Sequence, residues 1–150
     1  GDRAYEYYRA SMPAAYNDHA EIRQCEPYVQ GQTTYSVYSP RPGNTRTPWL
    51  TGAAAWAYHS ATHYILGLRP ELDGLRVDPC IPSSWKGFRA TRRFRGRTIE
   101  IEVKNPKGVC SGVASLMLNG ELLTENLVPT DKLEARNRVD VVLGKNSEAQ

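Results

Sequence analysis

A chain of 150 residues with 40% hydrophobic side chains carries enough apolar material for one domain or two small pieces, and its formal charge of +3 is too modest to mark a nucleic-acid binder. Three widely spaced cysteines, Cys25, Cys80 and Cys110, contain no CxxC pair, so neither a zinc site nor a disulfide framework is expected; they point to reduced thiols in a cytoplasmic protein. No apolar run reaches membrane-spanning length, and no membrane partner is expected.

No signal peptide opens the chain, and Gly1-Asp2-Arg3-Ala4 leads straight into a helical pattern. The expectation is the tail end of a longer protein. The spacing of Ala4, Tyr5, Tyr8 and Met12 predicts a helix from about Asp2 to Ser11, stopped before Pro13. A short helical turn is expected from Asn17 or Asp18, where an N-cap side chain is available. Residues 24–49 read as a long loop or extended segment, punctuated by Pro27, Gly31, Pro40, Pro42, Gly43 and Pro48. Tyr28, Tyr35, Tyr38 and Trp49 argue against disorder there.

Pro48-Trp49-Leu50-Thr51-Gly52 then opens a helix predicted over Ala53–Leu66. Thr51 is a favoured N-cap residue, and Gly52 lets a ligand approach the backbone. Because the helix is apolar on nearly every side, it is expected to be buried. Its first N–H groups need partners, and an anion at the positive dipole end is one solution. From this segment alone, a capped core helix is the plainer reading. His59 and His63 stand four apart without a third ligand, and Trp49 and Trp56 are read as packing residues. Gly67 is the expected C′ residue, with Pro70 beyond it.

From Leu72 the period changes to two. Leu75–Asp78 is a predicted strand closed by Pro79. Phe88–Phe94 and Thr98–Val103 form a predicted hairpin bent at Arg95-Gly96, with Ile99, Ile101 and Val103 inward. Ser115–Leu118 and Glu121–Leu123 flank Asn119-Gly120, a pair suited to a type I′ turn. Val139–Leu143 is the last strand, and residues 145–150 are expected to fray. The cluster Lys86, Arg89, Arg92, Arg93, Arg95 and Arg97 alternates with Phe88, Ala90 and Phe94, and so reads as the solvent face of a strand and not as a nucleic-acid site.

Several segments in order carry a resemblance: Glu26-Pro27-Tyr28-Val29, Gln32, Trp49-Leu50-Thr51-Gly52, Ile65-Leu66-Gly67-Leu68-Arg69-Pro70, Asp73-Gly74-Leu75, Asp78-Pro79-Cys80-Ile81-Pro82, Trp85-Lys86-Gly87-Phe88 and Arg92-Arg93-Phe94-Arg95-Gly96. The string resembles the C-terminal end of glycoside hydrolase family 94, the inverting phosphorylases of β-linked disaccharides. The resemblance implies an α+β chain: residues 1–70 as the last helices of an (α/α)6 catalytic barrel, 71–144 as a small antiparallel β-sandwich domain, and 145–150 as a tail. It also implies phosphate binding by Thr51 and Gly52, and substrate binding by Gln32 in the donor-sugar pocket. The family's general acid, an Asp, lies upstream of the matched region, so no catalytic residue is assigned here and the chain alone is expected to be inactive. The implied partners are a β-linked disaccharide and inorganic phosphate, the latter a co-substrate, with no cofactor and no metal; the parent is expected to be a homodimer. Glu26, set before Pro27, is read as a structural residue bonded to Arg23 or Arg46 and not as a catalytic carboxylate. Two other readings stand beside this one: a non-catalytic carbohydrate-binding or packing β module, and the tail of a cyclic β-1,2-glucan synthase.

Overall fold

The computed structural model describes residues 1–49 and 52–144. Two compact units are present: Gly1–Tyr5 together with the chain from Thr62 onward, and Glu6–Ala61. The expectation of a frayed tail at 145–150 lies outside the described residues.

The Glu6–Ala61 unit is built from short elements. Helix α1 spans Asp2–Ser11, the limits that its apolar spacing and Pro13 dictate, and its first residues belong to the other unit. Two 3-10 turns then cover Pro13–His19, separated by a kink at the non-helical Tyr16 (φ −124°, ψ 18°), followed by α2 at Ala20–Arg23. The helical turn expected from Asn17 or Asp18 follows the break at Tyr16, and an additional turn opens earlier at Pro13, because proline at the first helical position needs no N–H partner. Residues 24–49, read as a long loop or extended segment, contain two extended pieces that pair. Gly31–Thr34 (β1) pairs antiparallel with Thr45–Pro48 (β2), with Gly31 opposite Pro48 and Thr34 opposite Thr45. A Cβ on Gly31 would lie 1.9 Å from Thr45 Cγ2, so this glycine permits the close approach of the two strands.

The predicted helix after Gly52 is an α-helix only over Ala53–His59 (α3); the chain then widens into a π-helical turn at Ser60–Ile65. It is not buried. Trp56 is 70% exposed and Tyr58 68% exposed, and no residue of α3 is buried. A helix apolar on all sides requires neighbours on all sides. The other described residues do not supply them.

The second unit holds the apolar core. Beyond Leu68–Pro70 (β3) and Gly74–Val77 (β4) come Gly87–Phe94 (β5), Arg97–Lys104 (β6), Val113–Leu118 (β7), Glu121–Leu123 (β8), Leu127–Pro129 (β9) and Arg136–Leu143 (β10). They make a three-stranded sheet, β3-β4-β9, and a five-stranded sheet, β5-β6-β10-β7-β8. Alternation sends Ile99, Ile101, Val103, Leu116, Leu118, Val139, Val141 and Leu143 inward, and Leu75, Val77 and Val128 of the smaller sheet are likewise buried. Burial of these side chains is the main favourable term for this unit. Both bends follow local preference. Arg95 and Gly96 have φ of 48° and 76°, and Asn119 and Gly120 have 51° and 88°, the paired positive values of a type I′ turn.

The expected all-antiparallel domain is corrected in one place. Strand β10 lies between β6 and β7 and runs parallel to β6, from Arg136 opposite Thr98 to Val142 opposite Lys104, while pairing antiparallel with β7. Since β6 and β7 run in opposite senses, a strand inserted between them must parallel one of them.

The basic stretch is also only partly a solvent face. Arg89 and Arg93 are exposed, but Arg92 pairs opposite Ile99 and is half-buried on the inner side. On the outer face, Arg89 and Arg138 both donate to Glu102, at 2.9 and 3.0 Å, and Arg138 also donates to Asp140. Arg95 donates to the carbonyls of Glu71 and Leu72. Within the stretch, Arg89 is thus paired with a carboxylate and Arg95 is bonded to neutral backbone carbonyls. Among the described residues, no helix is long and apolar enough to cross a membrane.

These pairs set an acid dependence. Glu71 is held below its ordinary 4.5 chiefly by hydrogen bonds from Arg76, Glu102 by Arg89, and Asp140 below 3.8 by Arg138. A carboxylate with a depressed folded-state pKa contributes stability that is present above its unfolded pKa and lost as pH falls through the folded value. The unfolding midpoint is therefore expected to fall as pH drops below about 4.5. Glu71→Gln should flatten part of that decline; an identical acid profile in this variant would remove the Arg76 pair from the account.

Candidate functional site

The family-implied residues sit in the Glu6–Ala61 unit. Gln32 is exposed on β1, between the pairs Gly31–Pro48 and Thr33–Arg46, and so stands beside Thr47 of the strand that leads to α3. Gly52 is the N-cap of α3, with φ −77° and ψ 0°, and its carbonyl accepts the Trp56 N–H at 3.0 Å. Thr51 lies outside the described residues. The hairpin therefore places Gln32 next to the strand that precedes Gly52, a juxtaposition that the reading of residues 24–49 as a long loop or extended segment did not anticipate.

Gly52 is informative for what it does not require. Its φ is ordinary for any residue, and an added Cβ would meet only the Trp56 ring, 3.8 Å away at Cδ1. Nothing among the described residues demands a glycine there.

The approach to Gly52 is unusual. Thr47 and Trp49 have φ of 53° and 69°, in a region that β-branched and bulky side chains seldom enter. Trp49, read from sequence as a packing residue, is 67% exposed, and its ring meets Tyr28 edge-on with centroids 6.0 Å apart. Its Nε1 donates to Glu26 Oε1 at 3.0 Å. That bond, aided by the charge of Arg23, holds the Glu26 carboxyl below its usual range. Glu26 was expected to bond Arg23 or Arg46, but its side-chain hydrogen-bond partner is Trp49 and neither arginine. Arg46 instead donates to the Tyr35 hydroxyl at 2.8 Å, and the buried Arg23 donates to the backbone carbonyls of Glu26 and Val29. No sequence signal pairs residues 26 and 49; only the fold brings them together.

A concavity of about 720 Å³ lies in the same unit, lined among others by Ser11, Tyr16, Ile22, Gln30, Thr34 and Tyr35. Neither Gln32 nor Gly52 lines it. His59 packs edge-on against Trp56 at 5.9 Å. Among the described residues, no three His, Cys, Asp or Glu side chains gather closely enough to hold a metal ion.

Comparison with known proteins gives this arrangement its setting. Residues 1–67 match the glycosyl hydrolase 94 superfamily catalytic domain, and residues 68–110 match the glycosyl hydrolase family 65 C-terminal domain. The chain is 43% identical over 144 residues to an N,N'-diacetylchitobiose phosphorylase of Vibrio furnissii and 44% identical over 144 residues to that of Vibrio proteolyticus, covering 96% of this chain and 18% of each relative. It is 30% identical over 129 residues to a solabiose phosphorylase of Paenibacillus borealis, covering 86% of this chain and 17% of that protein. The chain therefore spans under a fifth of the length of these relatives. Residues 1–67 of the chain thus belong with the glycosyl hydrolase 94 superfamily catalytic domain, and residues 68–110 are similar to the family 65 C-terminal domain.

Proposed function

We infer that this chain is part of an inverting phosphorylase of β-linked disaccharides, with N,N'-diacetylchitobiose as the first substrate to test. The observation that carries the reading is the likeness to diacetylchitobiose phosphorylases along 96% of the chain. In this proposal the disaccharide and phosphate give an α-sugar 1-phosphate and a free sugar. An inverting glycosidase uses one carboxylic acid to protonate the leaving oxygen and one carboxylate to activate water. Phosphate is already a nucleophile, so a phosphorylase keeps the acid and needs an anion pocket on the opposite face.

Thr51 and Gly52 are assigned to that pocket, and Gln32 to the donor sugar beside it. Two observations support the assignment. Among the described residues nothing demands a glycine at the start of α3, which suits close approach to Gly52 by an external oxyanion. Gln32 is carried by the hairpin whose other strand feeds that helix. Fixed N–H donors at such a position orient phosphate without bringing a second negative charge near it. The proton donor is assigned to a part of the protein outside this chain, so the chain expressed by itself should turn over nothing. The complete protein is proposed to act in the cytoplasm, where three free cysteines stay reduced, and to be a homodimer.

The test is an assay of the complete protein with diacetylchitobiose, cellobiose and cellobionate, with and without phosphate. Phosphate-dependent cleavage of diacetylchitobiose is expected, and cleavage that ignores phosphate would favour a hydrolase. Within it, Thr51→Val should raise the phosphate KM about tenfold or more while leaving the disaccharide KM nearly constant, the pattern of one lost ground-state contact. An unaltered phosphate dependence would take Thr51 out of the site.

A further inference from the structure

Glu26 and Trp49 are far apart in sequence, yet a single side-chain bond ties the loop before β1 to the residue that follows β2. Trp49 Nε1 donates to Glu26 Oε1 at 3.0 Å. The loop side of this bond is itself anchored. The buried Arg23 donates through Nη1 to the Glu26 carbonyl at 2.9 Å and through Nη2 to the Val29 carbonyl. Tyr28, between those two carbonyls in sequence, stands edge-on to the indole with an interplanar angle of 74°. The indole is thus held by an acceptor and by an aromatic edge, both carried on a stretch that Arg23 braces.

What the clamp holds is a backbone that would not choose its own conformation. Trp49 has φ 69°, and Thr47, two residues earlier, has φ 53°. Such conformations persist only where the surroundings determine them. Both lie at the end of β2, a few residues before Gly52, where α3 begins.

We propose that Glu26 is a positioning residue: by holding Trp49 it fixes the end of β2, from which the chain runs on to Gly52 and the phosphate assigned there. This role rests on the phosphorylase reading above. The carboxylate is ionised at neutral pH, and charge-assisted hydrogen bonds are the shorter and stronger kind. The same fact removes Glu26 from proton donation, since a general acid must carry its proton at working pH. Both partners are exposed enough that the bond contributes little to global stability, so its loss should act on the end of β2 and not on folding.

The experiment compares phosphate KM, disaccharide KM, kcat and thermal midpoint of the complete enzyme with those of Glu26→Ala, Glu26→Gln, Trp49→Phe and the double variant Glu26→Ala/Trp49→Phe. Glu26→Ala and Trp49→Phe should each raise the phosphate KM about fivefold or more, with the disaccharide KM and thermal midpoint nearly unchanged. Glu26→Gln keeps an acceptor at Oε1 and should recover most of the loss. The double variant should be no worse than either single one, because both remove the same bond. An unchanged phosphate KM in Glu26→Ala, or effects that add in the double variant, would overturn the role while leaving the phosphorylase reading intact. A wild-type enzyme that cleaves without phosphate would instead overturn that reading, and this role with it.

Discussion

Gly67→Ala is expected to disrupt the start of the β unit, at a cost of about 4 kcal/mol or more. Two effects add. Gly67 has φ +67°, where an alanine costs about 1–2 kcal/mol. The larger effect is steric: a Cβ there would lie 2.1 Å from the Asp78 carbonyl oxygen, 2.2 Å from its carbon and 2.5 Å from Pro79 N. All three are backbone atoms, so no rotamer change relieves the clash. The contact exists because the Asp78 N–H donates to the Gly67 carbonyl at 2.9 Å and the Cys80 N–H to the Ile65 carbonyl at 3.0 Å, drawing the two segments together. Gly96→Ala is the matched control, with φ +76° and nothing within 4 Å of an added Cβ; it should lose only the conformational part, about 1–2 kcal/mol. Thermal midpoints of the two variants, with hydrogen exchange at the Asp78 and Cys80 amides, separate the effects. Equal midpoints would mean that the close approach at Gly67 is not present in solution.

Asn105→Leu is expected to cost about 3 kcal/mol or more despite the similar volume of the two side chains. Asn105 is fully buried, and every part of its amide is used. Its Nδ2 donates to the Trp85 carbonyl at 3.0 Å and to the Val109 carbonyl at 2.9 Å, and its Oδ1 accepts from the Val109 N–H at 2.9 Å. One side chain thus closes the 105–109 turn and ties it to the segment entering β5. Leucine would leave two part-buried carbonyls and one part-buried N–H without this partner, each costing up to about 1–3 kcal/mol where water does not replace it. Faster exchange of the Val109 amide in the variant is the local signature. A stability change under about 1 kcal/mol would show that water reaches these groups.

The two variants differ in how far the sequence announces them. Gly67 is legible as a helix-ending glycine from the apolar run before it and Pro70 after it. Its clash partner, Asp78, is not. Asn105 gives no signal at all, since an asparagine after a strand is an ordinary turn residue. The same division runs through the candidate site. The segments in order from Glu26 to Gly96 carry the family likeness, and the start of α3 at Ala53 is found, because these depend on residues close together in the chain. The hairpin that brings Gln32 alongside Thr47, and the bond from Trp49 to Glu26, join residues about fifteen to twenty-three apart. Nothing in either partner's local sequence names the other.

What the sequence determined by itself is therefore whatever short-range physics decides. The limits of α1 follow from spacing and Pro13, the inward face of β6 from strict alternation, and the positive φ at Asn119-Gly120 from the low cost of that conformation in those two residues. Tertiary structure decided the rest. Alternation is identical in parallel and antiparallel strands, so the direction of β10 beside β6 was set by the two strands between which it had to fit. Hydrophobicity records a side chain's preference and not its neighbours, so the aromatic residues of α3 are exposed where their composition alone implied burial. Periodicity and turn preference act within a few residues. Pairing partners, strand direction and actual cover depend on which distant segments arrive, and only the folded chain specifies that.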